Sequence, residues 1–425
     1  MAEASPAVAA RSRVADPTLA VSGQRAIEWA QAHSPVLDGY VRRILADGSF
    51  HGRRVAVVVH LEAKTAFLAT VLADAGAHVV VAGSNPHTTR DDVAAALVER
   101  GIEVHSSRGS TSEQWEQDLV AVGATEPEYI IDDGAELTLR MSKHLAELYA
   151  ELRGVSEETT TGVARLRSLD QAGRLPFAAM AANDAACKHL FDNRYGTGQS
   201  TIQAILALTN MRMPGKRVAV IGYGWVGRGI ATYVHQMGGR ATVVEVDPIR
   251  ALEAHMEGHD VADAETACAG ADIVVTATGG VRALTGRHFA VLAPHAVLAN
   301  AGHHNLEIDV PALASVSTEV REIRPQVTRY LYGGDKPVYL TSDGALVNIA
   351  GGLGHAIEIM DLSFAVQALS CRELVVGEYP PGVHVLPEHA DRAIATAKLQ
   401  DLGVVLDAPA EDQHDSIDHY MGGEA

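Results

Sequence analysis

Hydrophobic positions along the chain fall into two sets of short β-branched runs, separated by longer Ala-rich runs. The first set opens with RVAVVV at Arg54–Val59, an apolar run ending at His60 that predicts a buried strand. The Ala-rich stretch 65–76 predicts a helix, 78–82 a second strand, and 129–131 a third that ends at Asp132 and Asp133. Strand, helix, strand in this order implies parallel pairing with helices on both faces. The second set starts behind the Pro214–Gly215 break with the run Arg217–Ile221, and continues through 241–245, 273–276 and 296–298. Glycines cluster at 195–198 and again at 351–354, where the chain is expected to leave one unit and return to it.

The expected fold is therefore α/β, with two doubly wound Rossmann-like domains. A first, discontinuous domain would span 23–195 and be completed by 354–395, with a second domain, 196–353, inserted. Residues 1–22 read as a loose tail and 396–425 as a short C-terminal tail.

Composition narrows the function classes. The 425 residues are 47% hydrophobic and 20% charged, an ordinary globular profile, and exceed what one core usually serves. Lys and Arg total 34 against 53 for Asp and Glu, a net charge of −19. Such a surface repels phosphate backbones and anionic lipid, so neither nucleic acid nor membrane is an expected partner. Three scattered cysteines exclude a disulfide framework and suit a reducing cytoplasm. No stretch approaches the roughly 20 apolar residues of a membrane helix, and the first residues lack a secretory core. A soluble cytoplasmic protein is expected.

One turn carries specific chemistry. VAVIGYGWVGRGIA (218–231) is an apolar run leading into Gly222, Gly224 and Gly227 and then a helical run. In a strand–turn–helix setting these glycines serve a tight turn, backbone approach to a pyrophosphate, and close helix–strand packing. The helix N-terminus presents N–H donors to the anion. Glu245 ends the next run, where a carboxylate binds a ribose 2′-hydroxyl and repels a 2′-phosphate. NAD is the expected cofactor, bound by residues 196–353.

Three polar stretches fall where loops are expected. SEETTTG (156–162) reads either as a helix start, Ser and Thr being good caps, or as a hydroxyl-rich clamp for a polyhydroxylated ligand. In NDAACKHLFDN (183–193), Lys188 and Asp192 stand four apart, on one face of a helix. On a surface that is a weak ion pair; in a cleft it can move a hydroxyl proton. NAGHHNLEID (300–309) places His303 and His304 at a strand's carboxyl end, where α/β ligands bind. No HExxH motif or Cys/His cluster with metal spacing occurs, so no catalytic metal is expected.

These segments, with HLEAKTA (60–66), GSNPHTTRDDVAAAL (83–97), DDGAELT (132–138), KHLFDNRYGTGQS (188–200), EVDPIRALEA (245–254) and LVNIAGGLGH (346–355), make the chain resemble the S-adenosyl-L-homocysteine hydrolases from about Glu28 to about Leu406. Glu62, Lys64, Thr197 and Trp225 resemble the shorter, archaeal-type branch, some of whose members act on inosine-type nucleosides. The resemblance implies that bound NAD+ oxidises the nucleoside 3′-hydroxyl, acidifying C4′–H. The 5′ substituent is then eliminated, water adds, and the ketone is reduced again. It implies that Lys188 and Asp192 manage the 3′-hydroxyl and C4′ protons with Asn193 in support, and that Glu158 holds the sugar hydroxyls. His60, Asp133 and His303 would surround the 5′ carbon. His355 would meet the base, with Glu62 and Lys64 near its edge. Thr159, Thr160, Thr161, Asn348 and Glu245 would contact NAD, and the family's homotetramer makes a homo-oligomer the expected assembly.

The chain also departs from the family. His303–His304 replaces a His–Phe pair that gates the substrate channel, Asn305 replaces an aspartate, Arg90 a glutamine, and Ala356 a proline. HSSRGS (105–110) stands where the family has a tryptophan- and glutamate-bearing segment. The C-terminal tail that reaches a neighbour's NAD is faintly echoed in SIDHYMGGEA (416–425), with Tyr420 retained and Ser416 in a lysine's place. The leading expectation is hydrolysis of S-adenosylhomocysteine. The alternative is a dehydratase of the nucleoside-antibiotic (angustmycin) type, which expels water by the same oxidation and elimination. A third is a catalytically silent NAD-binding regulator.

Overall fold

The computed structural model describes residues 6–408. Its first sheet holds β1 (Arg54–Val59), β2 (His78–Gly83), β3 (Glu103–His105), β4 (Tyr129–Asp132), β5 (Gly154–Glu157) and β6 (Ala178–Met180). The second holds β7 (Arg217–Ile221), β8 (Arg240–Val244), β9 (Asp260–Val261), β10 (Ile273–Thr276), β11 (Val297–Asn300), β12 (Ser317–Arg324), β13 (Val327–Tyr332) and β14 (Lys336–Thr341). The chain then returns, and β15 (Gly382–His384) joins the edge of the first sheet.

The first sheet runs β15-β6-β5-β4-β1-β2-β3 and is parallel throughout. β1 lies inside it, and alternate residues serve opposite faces. Val55, Val57 and Val59 pack with Val79 and Val81 into one core, whereas Ala56 and Val58 pack with Ile130 into another. That two-sided burial is why the strand reads as an unbroken apolar run. β7 does the same in the second sheet, with Val218 and Val220 on one side and Ala219 and Ile221 on the other. The second sheet, β12-β13-β14-β11-β10-β7-β8-β9, is mixed. β12, β13 and β14 pair antiparallel, an extension the sequence reading did not foresee because β12 (STEVREIR) is mostly polar and exposed. The helix predicted over 65–76 runs over Ala63–Asp74, capped by the Glu62 side chain accepting from the Lys64 backbone N–H.

Both expected tails need correction. Residues 6–22 are not loose: Pro6–Arg11 is helical and Ala20 already begins the helix Ala20–Ala32. Arg13 is stitched beside β3, its N–H donating to Val104 O (2.8 Å) and its carbonyl accepting from Ser106 N–H (3.0 Å), while its guanidinium pairs with buried Asp118. At the other end, the helix Glu388–Asp401 runs through residue 396, with Ile394 buried and Lys398 paired to Asp361 at 3.0 Å. Ser416 and Tyr420 lie outside the described residues. Among the described residues, no helix is long and apolar enough to cross a membrane.

Candidate active site

The carboxyl ends of strands from both sheets open on one cavity of about 520 Å³. β1 delivers His60, β4 Asp133 and β5 Glu158; from the second sheet, β7 delivers the glycine turn and β8 Glu245, while His303 follows β11.

Lys188 ends the helical turn Ala186–Lys188, and the wide-wound segment His189–Gly196 that follows carries Asp192 and Asn193. Such π-winding is common at functional sites. Lys188 Nζ lies 3.0 Å from Asp192 Oδ1 and 3.1 Å from Glu158 Oε1, and donates to Asn193 Oδ1 at 2.9 Å. All four residues are buried, so the surface ion-pair alternative is excluded. Burial favours the neutral amine, but Asp192 and Glu158 outweigh it and hold the ammonium above the usual lysine range. Burial pushes the Glu158 carboxyl up to about 7, against the pull of Lys188. Burial also opposes ionisation of Asp192, yet Lys188, His355 and Ser363 keep it well below the usual carboxylate range. His355 touches this cluster, its Nδ1 3.5 Å from Asp192 Oδ1 and its Nε2 3.0 Å from Thr197 Oγ1.

A second cluster joins three residues. Asp133 Oδ2 lies 3.5 Å from His60 Nε2, and Oδ1 lies 3.6 Å from His303 Nδ1. Ser84 donates to Asp133 Oδ2 (2.9 Å) and Thr88 lies 2.8 Å from His60 Nδ1. Burial lowers both imidazoles, His303 to about 4, with Asp133 opposing. Asp133 stays below the usual carboxylate range: burial opposes this, but His303, His60 and Ser84 prevail. The three side chains could also share a cation. Glu62 and Lys64 line the cavity as an ion pair at 2.9 Å, with Lys64 donating to Leu353 O.

The cofactor side fits a dinucleotide. Gly222 has φ +103°, and a Cβ there would lie 2.7 Å from Ala277 O; one at Gly227 would lie 1.9 Å from Gly222 O. Gly224 instead faces open space, its added Cβ meeting only Arg250 Nη1 at 4.0 Å, where a pyrophosphate can approach. Glu245 accepts backbone N–H groups from Tyr223 (2.7 Å), Val246 (2.7 Å) and Asp247 (3.0 Å), so its carboxylate is fixed beside the turn. Thr159, Thr160, Thr161 and Asn348 line the cavity. Thr161 Oγ1 and Asn348 Oδ1 are buried there without a hydrogen-bond partner among the described residues, as a ligand would require. In SEETTTG a helix, Thr160–Gln171, does start, but Thr159 at its N-cap position makes no side-chain cap hydrogen bond, and the hydroxyl-rich start faces the cavity.

Several supporting residues escaped the sequence reading. Gln367 donates to Glu158 Oε2 (2.6 Å) and Ser363 to Asp192 Oδ2 (2.7 Å), both from the helix Ile357–Val376. Their signal was available, since Ser363, Gln367 and Ser370 interrupt the otherwise apolar run 362–371 at helical spacing. Buried Glu157 accepts N–H groups from Gly134, Ala135 and Thr159, tying the Asp133 loop to the threonine run. Arg90 is turned outward, 3.7 Å from Asp92.

Comparison with known proteins agrees with this geometry. The description "S-adenosyl-L-homocysteine hydrolase" matches residues 11–147, and that family's NAD-binding domain matches residues 193–354. The adenosylhomocysteinase of Thermococcus kodakarensis is 43% identical over 412 residues, covering 96% of this chain and 98% of that protein. The S-inosyl-L-homocysteine hydrolase of Methanopyrus kandleri is 42% identical over 413 residues, covering 96% and 97%. The adenosylhomocysteinase of Archaeoglobus fulgidus is 45% identical over 395 residues, covering 92% and 97%. The chain belongs to the S-adenosyl-L-homocysteine hydrolase family. NAD is its cofactor, and the glycine turn lies within the segment matched to the family's NAD-binding domain.

Proposed function

We propose that this protein hydrolyses S-adenosyl-L-homocysteine to adenosine and homocysteine. The observation that carries the reading is one cavity holding the Lys188–Asp192–Glu158 cluster, the His60–Asp133–His303 cluster and a dinucleotide turn together. Bound NAD supplies a reversible two-electron oxidation of the sugar's 3′-alcohol.

Glu158 and Lys188 grip the sugar hydroxyls. Inserting those hydroxyls separates the ammonium from one of its two stabilising carboxylates, and ketone formation makes C4′–H acidic. The first change lets Lys188 pass a proton to Glu158, while Asp192 takes the 3′-hydroxyl proton as that carbon is oxidised; the neutral amine then accepts the acidified C4′ proton, with Asn193 holding its Nζ in place. One imidazole, protonated beside the Asp133 carboxylate, gives its proton to the departing thiolate and regains it from the water that adds; burial, which disfavours the imidazolium, makes it a ready donor. Glu62, Lys64 and His355 meet the base, and Thr159, Thr160, Thr161, Asn348, Glu245 and the Gly222–Gly224–Gly227 turn hold NAD. Closure of the two sheets' domains around the sugar keeps water from the intermediate until it is needed.

The enzyme works in the cytoplasm as a homotetramer. Ile249, Leu252 and Met256, exposed at 77, 61 and 79% on one helix, support association. Light scattering checks it.

The deciding experiment incubates NAD-loaded enzyme with S-adenosylhomocysteine, S-inosylhomocysteine and adenine nucleosides, followed by mass spectrometry and absorbance at about 340 nm. Homocysteine released from the adenosyl substrate is the expected result. Loss of one water from a nucleoside, with both homocysteine conjugates inert, would overturn it.

A further inference from the structure

Beside His303, among residues that do not line the cavity, lies a polar cluster that the oxidation and elimination do not use. Arg165, on the helix Thr160–Gln171, donates through Nη1 to Gly134 O (2.6 Å) and Glu136 Oε1 (2.9 Å). Its Nη2 lies 3.0 Å from His304 Nε2, and the His304 ring meets the His303 ring edge-on with centroids 4.5 Å apart. Arg165 and Glu136 belong to the first sheet's side and His304 to the second's, so the cluster spans the junction. Arg165 is partly open to solvent, at 36% of its side chain, whereas Glu136 is buried at 7%.

A cation does not suit this place, although Glu136, His303 and His304 could each offer a ligand atom. Arg165 and Arg140 both pair with Glu136, and Arg165 occupies the His304 nitrogen. Two guanidinium groups repel a metal ion. What the cluster offers is a guanidinium fork beside a carboxylate, the complement of a zwitterion. Only His303 separates it from Asp133, where the 5′ carbon is placed.

We propose that Arg165 and Glu136, with His304 alongside, hold the α-amino-acid head of the 5′ substituent. Arg165 takes the α-carboxylate and Glu136 the α-ammonium, each exchanging its present partner for the ligand's opposite charge, while the thioether chain passes His303. Arg140 stays on Glu136 and limits the rearrangement. The assignment rests on the proposed reading that homocysteine is the leaving group.

The test compares NAD-loaded wild type, Arg165→Gln and Arg165→Lys on S-adenosylhomocysteine, 5′-methylthioadenosine and adenosine. The first two share the thioether, and only the first carries the amino-acid head. Arg165→Gln is expected to raise KM for S-adenosylhomocysteine about tenfold or more, erasing the preference over methylthioadenosine, with a much smaller shift for adenosine. Arg165→Lys should restore part of the preference. An S-adenosylhomocysteine KM within about twofold of wild type, or an equal rise for all three nucleosides, would overturn the assignment while leaving the hydrolase reading intact. Wild-type enzyme that forms NADH from adenosine but never releases homocysteine would remove both.

Discussion

Gln367 donates through Nε2 to Glu158 Oε2 at 2.6 Å, although the two residues are 209 positions apart. The same amide's oxygen accepts from Ser156 Oγ, which fixes which end of the amide faces the acid. A neutral donor thus favours the charged form of a carboxyl that burial pushes up to about 7.

Replacing Gln367 with Met removes that donor at similar bulk. Glu158 should then ionise only at higher pH, so the acid limb of the kcat/KM profile moves upward. At pH 7 the rate of 3′-oxidation should fall about tenfold or more and recover as pH rises. Bound NADH absorbance across pH checks this; an unshifted limb would mean that Gln367 only packs.

How much of this could be read from the chain differs by residue. β1 and β7 were legible because both faces are buried, which makes an apolar run. β12 was not, because its pairing with β13 leaves polar residues exposed on a sheet edge. The Lys188–Asp192 pair was legible from its spacing, while its burial and the approach of Glu158 depend on tertiary packing. His60, Asp133 and His303 were each visible as strand-end residues; that Asp133 gives one oxygen to each imidazole was not. Arg13 and Arg165 carried no local signal at all, since Arg13 acts on Asp118, 105 positions away, and Arg165 on Glu136, 29 positions away, and on His304 across the junction.

Asp133→Asn should separate the two halves of the reaction. The amide keeps the shape but no longer offsets burial at His60 and His303, so both imidazoles become still harder to protonate. Oxidation at C3′ should survive, while elimination and water addition slow by about 10²- to 10⁴-fold. Rapid mixing with adenosine and with S-adenosylhomocysteine should show a full NADH burst that fails to decay. A lost burst would place Asp133 in the oxidation instead.

Asp132 gives the fold a pH dependence of its own. Its carboxyl accepts the N–H groups of Leu137 and Thr138 and the Thr138 hydroxyl, but burial still pushes it up to about 6. Because the folded-state value lies above the unfolded one, folding favours the protonated form. Its contribution is full below about pH 4 and is lost as pH rises to about 6, at roughly 1.4 kcal/mol per pH unit. Urea unfolding of wild type and Asp132→Asn between those limits should differ by that slope. Asp132→Asn removes that share alone, and the variant is less stable at neutral pH because the amide nitrogen cannot accept from Thr138.

Glu245 is fixed beside the glycine turn, and the proposed function also gives it the choice of cofactor. Its oxygens gather the N–H groups of Tyr223, Val246 and Asp247, and on that reading the same carboxylate would repel a ribose 2′-phosphate. Glu245→Ser removes the charge and frees those three N–H groups, which then attract rather than repel an anion. NAD affinity should fall about 10- to 100-fold, the loss of charged hydrogen bonds to the ribose. NADP affinity should rise, because the repulsion is gone and the freed donors face the phosphate. Titration calorimetry of both dinucleotides with apo-enzyme checks the pair of shifts. If both affinities fell together, Glu245 would be holding the turn's shape rather than reading the ribose, and discrimination would have to reside in Arg250 or in the backbone after β8.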